Sequence, residues 1–161
     1  MVTVRLKPEP RFNVLLTEDR PHADVHWTRQ LPRLLEPQGV VSYVAQTARE
    51  AIDMAERTEV HAAVIDLATP LGDAECVQSF PVPGMAGGLW LLELLRRLPN
   101  RPPVVIVRGP AFSPRHADRL LTDALRLGVF SVVDKPVELE QLLTVFRRLM
   151  DKRYRGTWPV G

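Results

Sequence analysis

Three short stretches of this chain are too apolar to have a face in water, and each leads to a charge. Val14-Leu15-Leu16 leads to the acids Glu18-Asp19, Ala62-Ala63-Val64-Ile65 to Asp66, and Val132-Val133 to Lys135. Strands apolar on both faces belong to a parallel sheet covered by helices on each side. In open α/β sheets of this kind, residues at the carboxyl ends of the strands meet in one crevice. Glu18, Asp19, Asp66 and Lys135 are therefore expected to gather there. Three carboxylates and an ammonium make a site suited to a divalent cation and a phosphoryl group.

The rest of the chain alternates helix and strand. A first strand is expected at about 12–17, then a helix at about 22–37 carrying Val25, Leu31, Leu34 and Leu35. Pro32 inside that helix predicts a kink or a late start, and Gly39 a stop. Val40 to Ala45 reads as the second strand. Thr47 with Glu50 three residues on is a capping box opening a helix whose apolar face is Ala48, Ala51, Ile52 and Ala55. The third strand is expected from His61 to Asp66, the third helix from Leu89 to Leu98, and the fourth strand from Val104 to Val107. Ser113-Pro114 reads as a cap and first-turn proline. It opens a helix with Ala117, Leu120, Leu121, Ala124 and Leu125 at i, i+3, i+4, i+7 and i+8. Gly128 closes it, Phe130 to Val133 is the fifth strand, and a last helix at about 137–153 carries Leu139, Leu142, Leu143, Phe146, Leu149 and Met150. Five βα units with right-handed crossovers give an α/β fold with a doubly wound five-stranded parallel sheet.

Length and composition fit one domain. The 161 residues are enough to bury a core, and 45% hydrophobic with 25% charged residues is ordinary for a globular protein. Residues 1–11 read as a flexible leader, 12–153 as the domain, and 154–161 as an appended tail. Cys76 is the sole cysteine, which excludes an intramolecular disulfide and fits a reducing, cytoplasmic setting. The amino terminus lacks the apolar core of a signal peptide, and no segment reaches the length of a membrane span. A net charge of +2 is too small to argue for nucleic acid.

Taken together, these motifs resemble the response-regulator receiver domain (the CheY-like family) over about residues 12–153. Leu15-Leu16-Thr17-Glu18-Asp19 resembles its first strand and acidic pair, and Val64-Ile65-Asp66-Leu67-Ala68-Thr69-Pro70 its phosphoacceptor aspartate with the downstream proline. Pro83-Gly84-Met85-Ala86-Gly87 followed by Leu91-Leu92-Glu93-Leu94-Leu95 resembles the loop and opening of the third helix. Gly128 through Lys135-Pro136 and Leu139-Glu140-Gln141-Leu142 resembles the fifth strand, lysine-proline pair and last helix. The resemblance implies strand order 2-1-3-4-5. It also implies Mg²⁺ on Glu18, Asp19 and Asp66, phosphorylation of Asp66, and Lys135 against the phosphoryl oxygens. The implied donor is a histidine kinase, a phosphotransfer protein or a small phosphodonor. The implied output is protein contact with a downstream target, or a homodimer, through the surface of the fourth helix, fifth strand and fifth helix.

Two departures stand beside the matches. Arg108 occupies the position of the family's threonine or serine, and Val132 that of its switch aromatic. Arg108 could grip a phosphate bidentately, or sit permanently in the site paired with Asp66. The second departure is length. Asp66 and Gly87 are 21 positions apart, so the loop at about 67–86 carries an insertion, Leu71 to Val82. The connections from Asp19 to Gly39 and from Arg108 to Gly128 are long as well. All three fall on the carboxyl-end face, where α/β proteins carry function.

Other features have plain explanations. His22 and His26 share helical spacing but lack a third ligand, and His61 and His116 stand apart. Cys76 lies beside acids that oppose its thiolate. The third helix, Leu89-Trp90-Leu91-Leu92-Glu93-Leu94-Leu95, is apolar nearly all round and reads as shielded by the long loop or as a partner face. Arg147, Arg148, Lys152, Arg153 and Arg155 read as a solvated, dipole-complementing helix end. The reading this favours is a stand-alone atypical receiver in phosphorelay signalling, with no turnover beyond its own phosphorylation and dephosphorylation. The alternatives are a phosphorylation-independent pseudo-receiver and, from another class, a small Mg²⁺-dependent phosphohydrolase.

Overall fold

The computed structural model describes residues 12–18, 27–72, 87–109 and 114–154. The leader 1–11, Asp19, His22, Val25, His26, most of the inserted loop with Cys76, Ser113 and residues 155–161 lie outside them.

β1 (Phe12–Thr17) leads to α1 (Trp27–Leu35), β2 (Val40–Ala45) to α2 (Ala48–Arg57) and β3 (Ala62–Asp66) to α3 (Gly87–Arg96). β4 (Val104–Arg108), α4 (Pro114–Arg126), β5 (Ser131–Asp134) and α5 (Leu139–Tyr154) complete the order. The five strands form one sheet in the order β2-β1-β3-β4-β5, and every neighbouring pair is parallel. This is the expected doubly wound architecture.

Alternation along the strands divides the core in two. Leu15, Ala63, Ile65, Val104 and Ile106 point to the face carrying α2, α3 and Ala124 of α4. Val14, Leu16, Ala62, Val64, Val105, Val107 and Val133 point to the opposite face, against Trp27, Leu31 and Leu35 of α1 and Leu142, Phe146 and Leu149 of α5. β3 is buried along its whole length because strands flank it and helices cover both faces. That is why its sequence shows no polar alternation.

Local signals behave as expected with instructive shifts. Thr47 Oγ1 accepts from the Glu50 N–H at 3.1 Å, while Glu50 Oε2 reaches past the cap to the Gln46 N–H at 3.2 Å. α1 is followed by a 3₁₀ turn, Glu36–Gln38, and Gly39 closes it in the left-handed region at φ 82°. Two apolar positions expected in the core are outside it: Leu34 is 44% exposed and Leu125 55%. At about 100° per residue, Trp27, Leu31, Leu35 and Thr28 fill one arc of α1, and Leu34 falls just beyond its edge. Leu125 is likewise one step round the helix from buried Ala124. α3 starts and ends two residues before the expected span, and Leu91, Leu92 and Leu95 are its buried leucines. Its end tightens through Arg97 N–H to Leu94 O and Leu98 N–H to Leu95 O.

Tyr154, assigned from sequence to the tail, instead ends α5. Its hydroxyl donates to the His61 carbonyl, and its ring meets Phe12 edge-on at 5.0 Å. His61 stacks on Phe12 at 5.1 Å and meets the Tyr154 ring edge-on at 6.0 Å, and its Nδ1 accepts the Asn13 N–H at 3.0 Å. This cluster closes the amino end of the sheet, the pole opposite the acids.

Candidate functional site

Asp66 is the last residue of β3, in register with Val107 of β4. Pairing of β1 with β3 runs to Leu16 opposite Val64, and Thr17 and Glu18 follow Leu16 toward the same carboxyl end of the sheet as Asp66. β5 ends at Asp134, in register with Arg108, and Lys135 follows, its N–H donating to the Arg108 carbonyl at 2.7 Å. The parallel sheet thus brings Glu18, Asp66, Arg108 and Lys135 to one rim, about 4.8 Å from strand to strand.

Asp66 is held at both carboxylate oxygens. Oδ1 accepts the Ala68 N–H at 2.9 Å, and Oδ2 lies 2.6 Å from Lys135 Nζ. The Asp66 side chain is 2% exposed and that of Lys135 13%, so the pair is largely shielded from water. Lys135 reaches it across Gly109, where a Cβ would lie 2.5 Å from the lysine Cδ. The Lys135–Pro136 peptide is cis.

The backbone beneath Asp66 is gripped as well. Its N–H donates to Thr17 Oγ1 at 3.1 Å, and its carbonyl accepts from Thr69 Oγ1 at 2.6 Å and the Thr69 N–H at 3.0 Å. The two hydroxyls meet at 2.7 Å. The same loop runs on to α2, where the Pro70 and Leu71 carbonyls accept the first helical N–H groups, those of Ala48 and Arg49, at 2.9 and 3.0 Å. α3 presses on it from the other side. A Cβ at Gly88 would lie 2.6 Å from the Asp66 carbonyl oxygen and 2.7 Å from Leu67 Cα, so only glycine fits there without backbone movement.

Glu18 accepts a hydrogen bond from the Thr28 hydroxyl of α1 at 2.5 Å through Oε1. Arg108 corrects one expectation. It does not fill the site as the partner of Asp66; the cation there is Lys135. The Arg108 Nε–H instead donates to Asp134 Oδ1 at 2.7 Å, across the two strand ends and partly in solvent. That bond to Asp134 raises the Arg108 pKa above its ordinary value. Val132 is half-buried in β5 and packs with the core on the α3 face.

Hard carboxylate oxygens are the donors Mg²⁺ prefers, with water completing its shell. Glu18 and Asp66 supply them from adjacent strand ends and fit that chemistry. No three metal-ligating side chains converge among the described residues, so the expected set depends on Asp19, which lies outside them. Three residues of the site were not anticipated: Thr17, Thr69 and Asp134. A threonine after Leu16 or before Pro70 is common in strands and turns and carries no signal of its own. The Asp134 contact needs the β4–β5 register to be seen.

No protein-family model matches the sequence, and no curated protein does. Solved structures match. A CheY-like response-regulator receiver domain protein from Methanospirillum hungatei aligns at a TM-score of 0.64 with 23% identity, over 89% of this chain and 97% of that one. The signal receiver domain of an HD domain-containing protein from Pseudomonas fluorescens aligns at 0.64 with 19% identity, over 89% and 90%. A sensor protein from Polaromonas sp. aligns at 0.62 with 25% identity, over 89% and 99%. Strand order, the two helical layers and these alignments agree: the chain has the fold of the response-regulator receiver domain.

Proposed function

We propose that this chain is a receiver that accepts a phosphoryl group on Asp66 and signals through protein contacts. The observation that carries the reading is the setting of Asp66. A shielded carboxylate ends the central strand, one oxygen held by a backbone N–H and the other facing an ammonium. In the transfer, an Asp66 oxygen forms a bond to phosphorus while the bond from phosphorus to the donor's leaving group breaks. With acetyl phosphate the leaving group is acetate. Lys135 offsets charge on the phosphoryl oxygens, and Ala68 N–H keeps the second carboxylate oxygen in place. Glu18, Asp19 and Asp66 would hold Mg²⁺, which supplies charge neutralisation between carboxylates and phosphoryl group.

A histidine kinase or phosphotransfer protein is the natural donor, and a downstream protein, or a second copy meeting the α4–β5–α5 surface, the natural reader. No helix among the described residues is long and apolar enough to cross a membrane, in keeping with a cytoplasmic role. The phosphoryl group carries about −1.5 to −2 charge, and because the Asp66 carboxylate gives up its own charge in forming the acyl bond the net change at the site is about −1.

One observation favours a second reading, a receiver-shaped module that works without phosphate: Arg108 stands engaged with Asp134 where the family has a free hydroxyl. One experiment separates the two. Protein incubated with Mg²⁺ and acetyl phosphate should gain one phosphoryl mass, and Mg²⁺ with beryllofluoride should change tryptophan fluorescence. Both responses should vanish in Asp66→Asn. Absence of both from the unmodified protein would favour the phosphate-independent module, and Asp66-dependent release of phosphate from metabolites would favour a hydrolase.

A further inference from the structure

Beyond the acids and the lysine, the rim holds two almost fully buried threonines. Thr17 is 0% exposed and Thr69 1%. We infer that they are positioning residues for Asp66, closing a one-way ring of hydrogen bonds around its peptide. The inference deepens the phosphoacceptor reading and rests on it.

The direction of the ring follows from counting protons. The Asp66 carbonyl has none, so the Thr69 hydroxyl donates to it at 2.6 Å. That uses the only hydroxyl proton of Thr69, so Thr17 is the donor in the 2.7 Å contact between the two oxygens. The Thr17 oxygen in turn accepts the Asp66 N–H at 3.1 Å. The bonds run from Asp66 N–H to Thr17, to Thr69, and back to the Asp66 carbonyl. Every member is satisfied, and a closed buried network of this kind fixes geometry more firmly than its separate bonds.

The ring stands where the sheet gives out. The pairing of β1 with β3 ends at Leu16 opposite Val64, which leaves the Asp66 N–H beyond the last rung. The Thr17 side chain supplies the acceptor that the strand no longer offers. Thr17 also directly precedes Glu18, so the nucleophile and its neighbouring acid are tied to each other across two strands. Thr69 precedes Pro70 and Leu71, whose carbonyls cap α2, so the ring reaches that helix as well. Valine fits the volume at either position: at 17 it leaves the buried Asp66 N–H without its acceptor, and at 69 it removes the acceptor of the Thr17 hydroxyl and one of the two hydrogen bonds to the Asp66 carbonyl.

The test uses the full chain and Thr17→Val, Thr17→Ser, Thr69→Val, Thr69→Ser and the double valine variant. The phosphorylation rate with acetyl phosphate is measured by intact mass across a Mg²⁺ series, with thermal unfolding followed alongside. At saturating Mg²⁺ each valine variant should be slower by about tenfold or more, as expected when a reacting group is misplaced by a fraction of an ångström. Each serine variant should stay within about twofold of the unmodified protein, and the double valine variant should be no slower than the worse single one, because one opening breaks the ring. If Thr17→Val does not fold, Thr69→Val, in a loop and not in β1, carries the same comparison. Valine variants phosphorylated at the unmodified rate would overturn the positioning role and leave the phosphoacceptor reading standing. An unmodified protein that takes up neither acetyl phosphate's phosphoryl group nor beryllofluoride overturns both.

Discussion

Replacing Lys135 with methionine keeps much of the side-chain volume and removes the ammonium 2.6 Å from Asp66 Oδ2. With its side chain only 2% exposed, the Asp66 carboxylate cannot recover that lost charge from water. Breaking a buried pair by removing one partner typically costs about 3–5 kcal/mol, because the remaining charge is uncompensated. Two features lower the figure here. Ala68 N–H still donates to Oδ1, and Lys135 at 13% exposure sits at the edge of solvent. We expect Lys135→Met to lose about 2–3 kcal/mol at neutral pH without Mg²⁺, or a urea midpoint lower by about 1 M. Asp66→Asn removes the stranded charge, so the double variant should lose less than the sum of the singles, with a coupling above about 1 kcal/mol. Mg²⁺ should restore part of the loss in Lys135→Met and little in the double variant, because a bound cation stabilises only the folded site. Urea unfolding of the four proteins, with and without Mg²⁺, is the assay. A Lys135→Met variant within about 0.5 kcal/mol of the unmodified protein, with additive singles, would refute the shielded-pair reasoning.

Gly88→Ala should destabilise by about 1–3 kcal/mol, because the new Cβ meets backbone of residues 66 and 67 and no flexible side chain. Calorimetry should show a melting temperature lower by about 4–10 °C, and an unchanged one would contradict the packing described. Arg108→Ala should cost under about 1 kcal/mol, and less in high salt, because its pair with Asp134 is 32% and 65% exposed. A larger loss in urea titration would mean that Arg108 holds something more than Asp134. Burial raises the Tyr154 pKa above 10.0, so the neutral hydroxyl is the form that suits the folded chain. Its contribution is fully present below pH 10 and is lost as pH rises through the folded value. Tyr154→Phe should therefore flatten the alkaline fall in stability, at the cost of the hydroxyl bond to His61, about 1 kcal/mol. An unchanged alkaline slope would sink that assignment.

The fold was readable because its strands are buried on both faces. Runs such as Ala62-Ala63-Val64-Ile65 can lie only in the middle of such a sheet, and helix signals such as Thr47 with Glu50 separate them. The meeting of Asp66 and Lys135 was readable for the same reason, since parallel strands carry their last residues to one rim. What the sequence hid depends on contacts between distant segments. Thr17 and Thr69 are 52 residues apart, and nothing local says that one will complete the other's hydrogen bonding. Arg108 and Asp134 are 26 apart and meet through strand register alone. Apolar periodicity also overstates helix faces. Leu34 and Leu125 fit the pattern by spacing, yet the arc that reaches the sheet is narrower than the stripe of leucines. Tyr154 looked like part of a loose end because its partners, Phe12 and His61, come from the start of the domain.

That last contact sets a direction for the whole molecule. α5 runs from the rim bearing Lys135 down to the far pole, where Tyr154 is anchored on the first and third strands' leading ends. A reporter or crosslinker attached at exposed Arg153, in the last turn of α5, would therefore stand a full strand's length from Asp66. It would sense events at the acid only if α5 itself shifted as a lever, which makes that attachment point a sensitive place to watch for motion and a poor one to disturb chemistry.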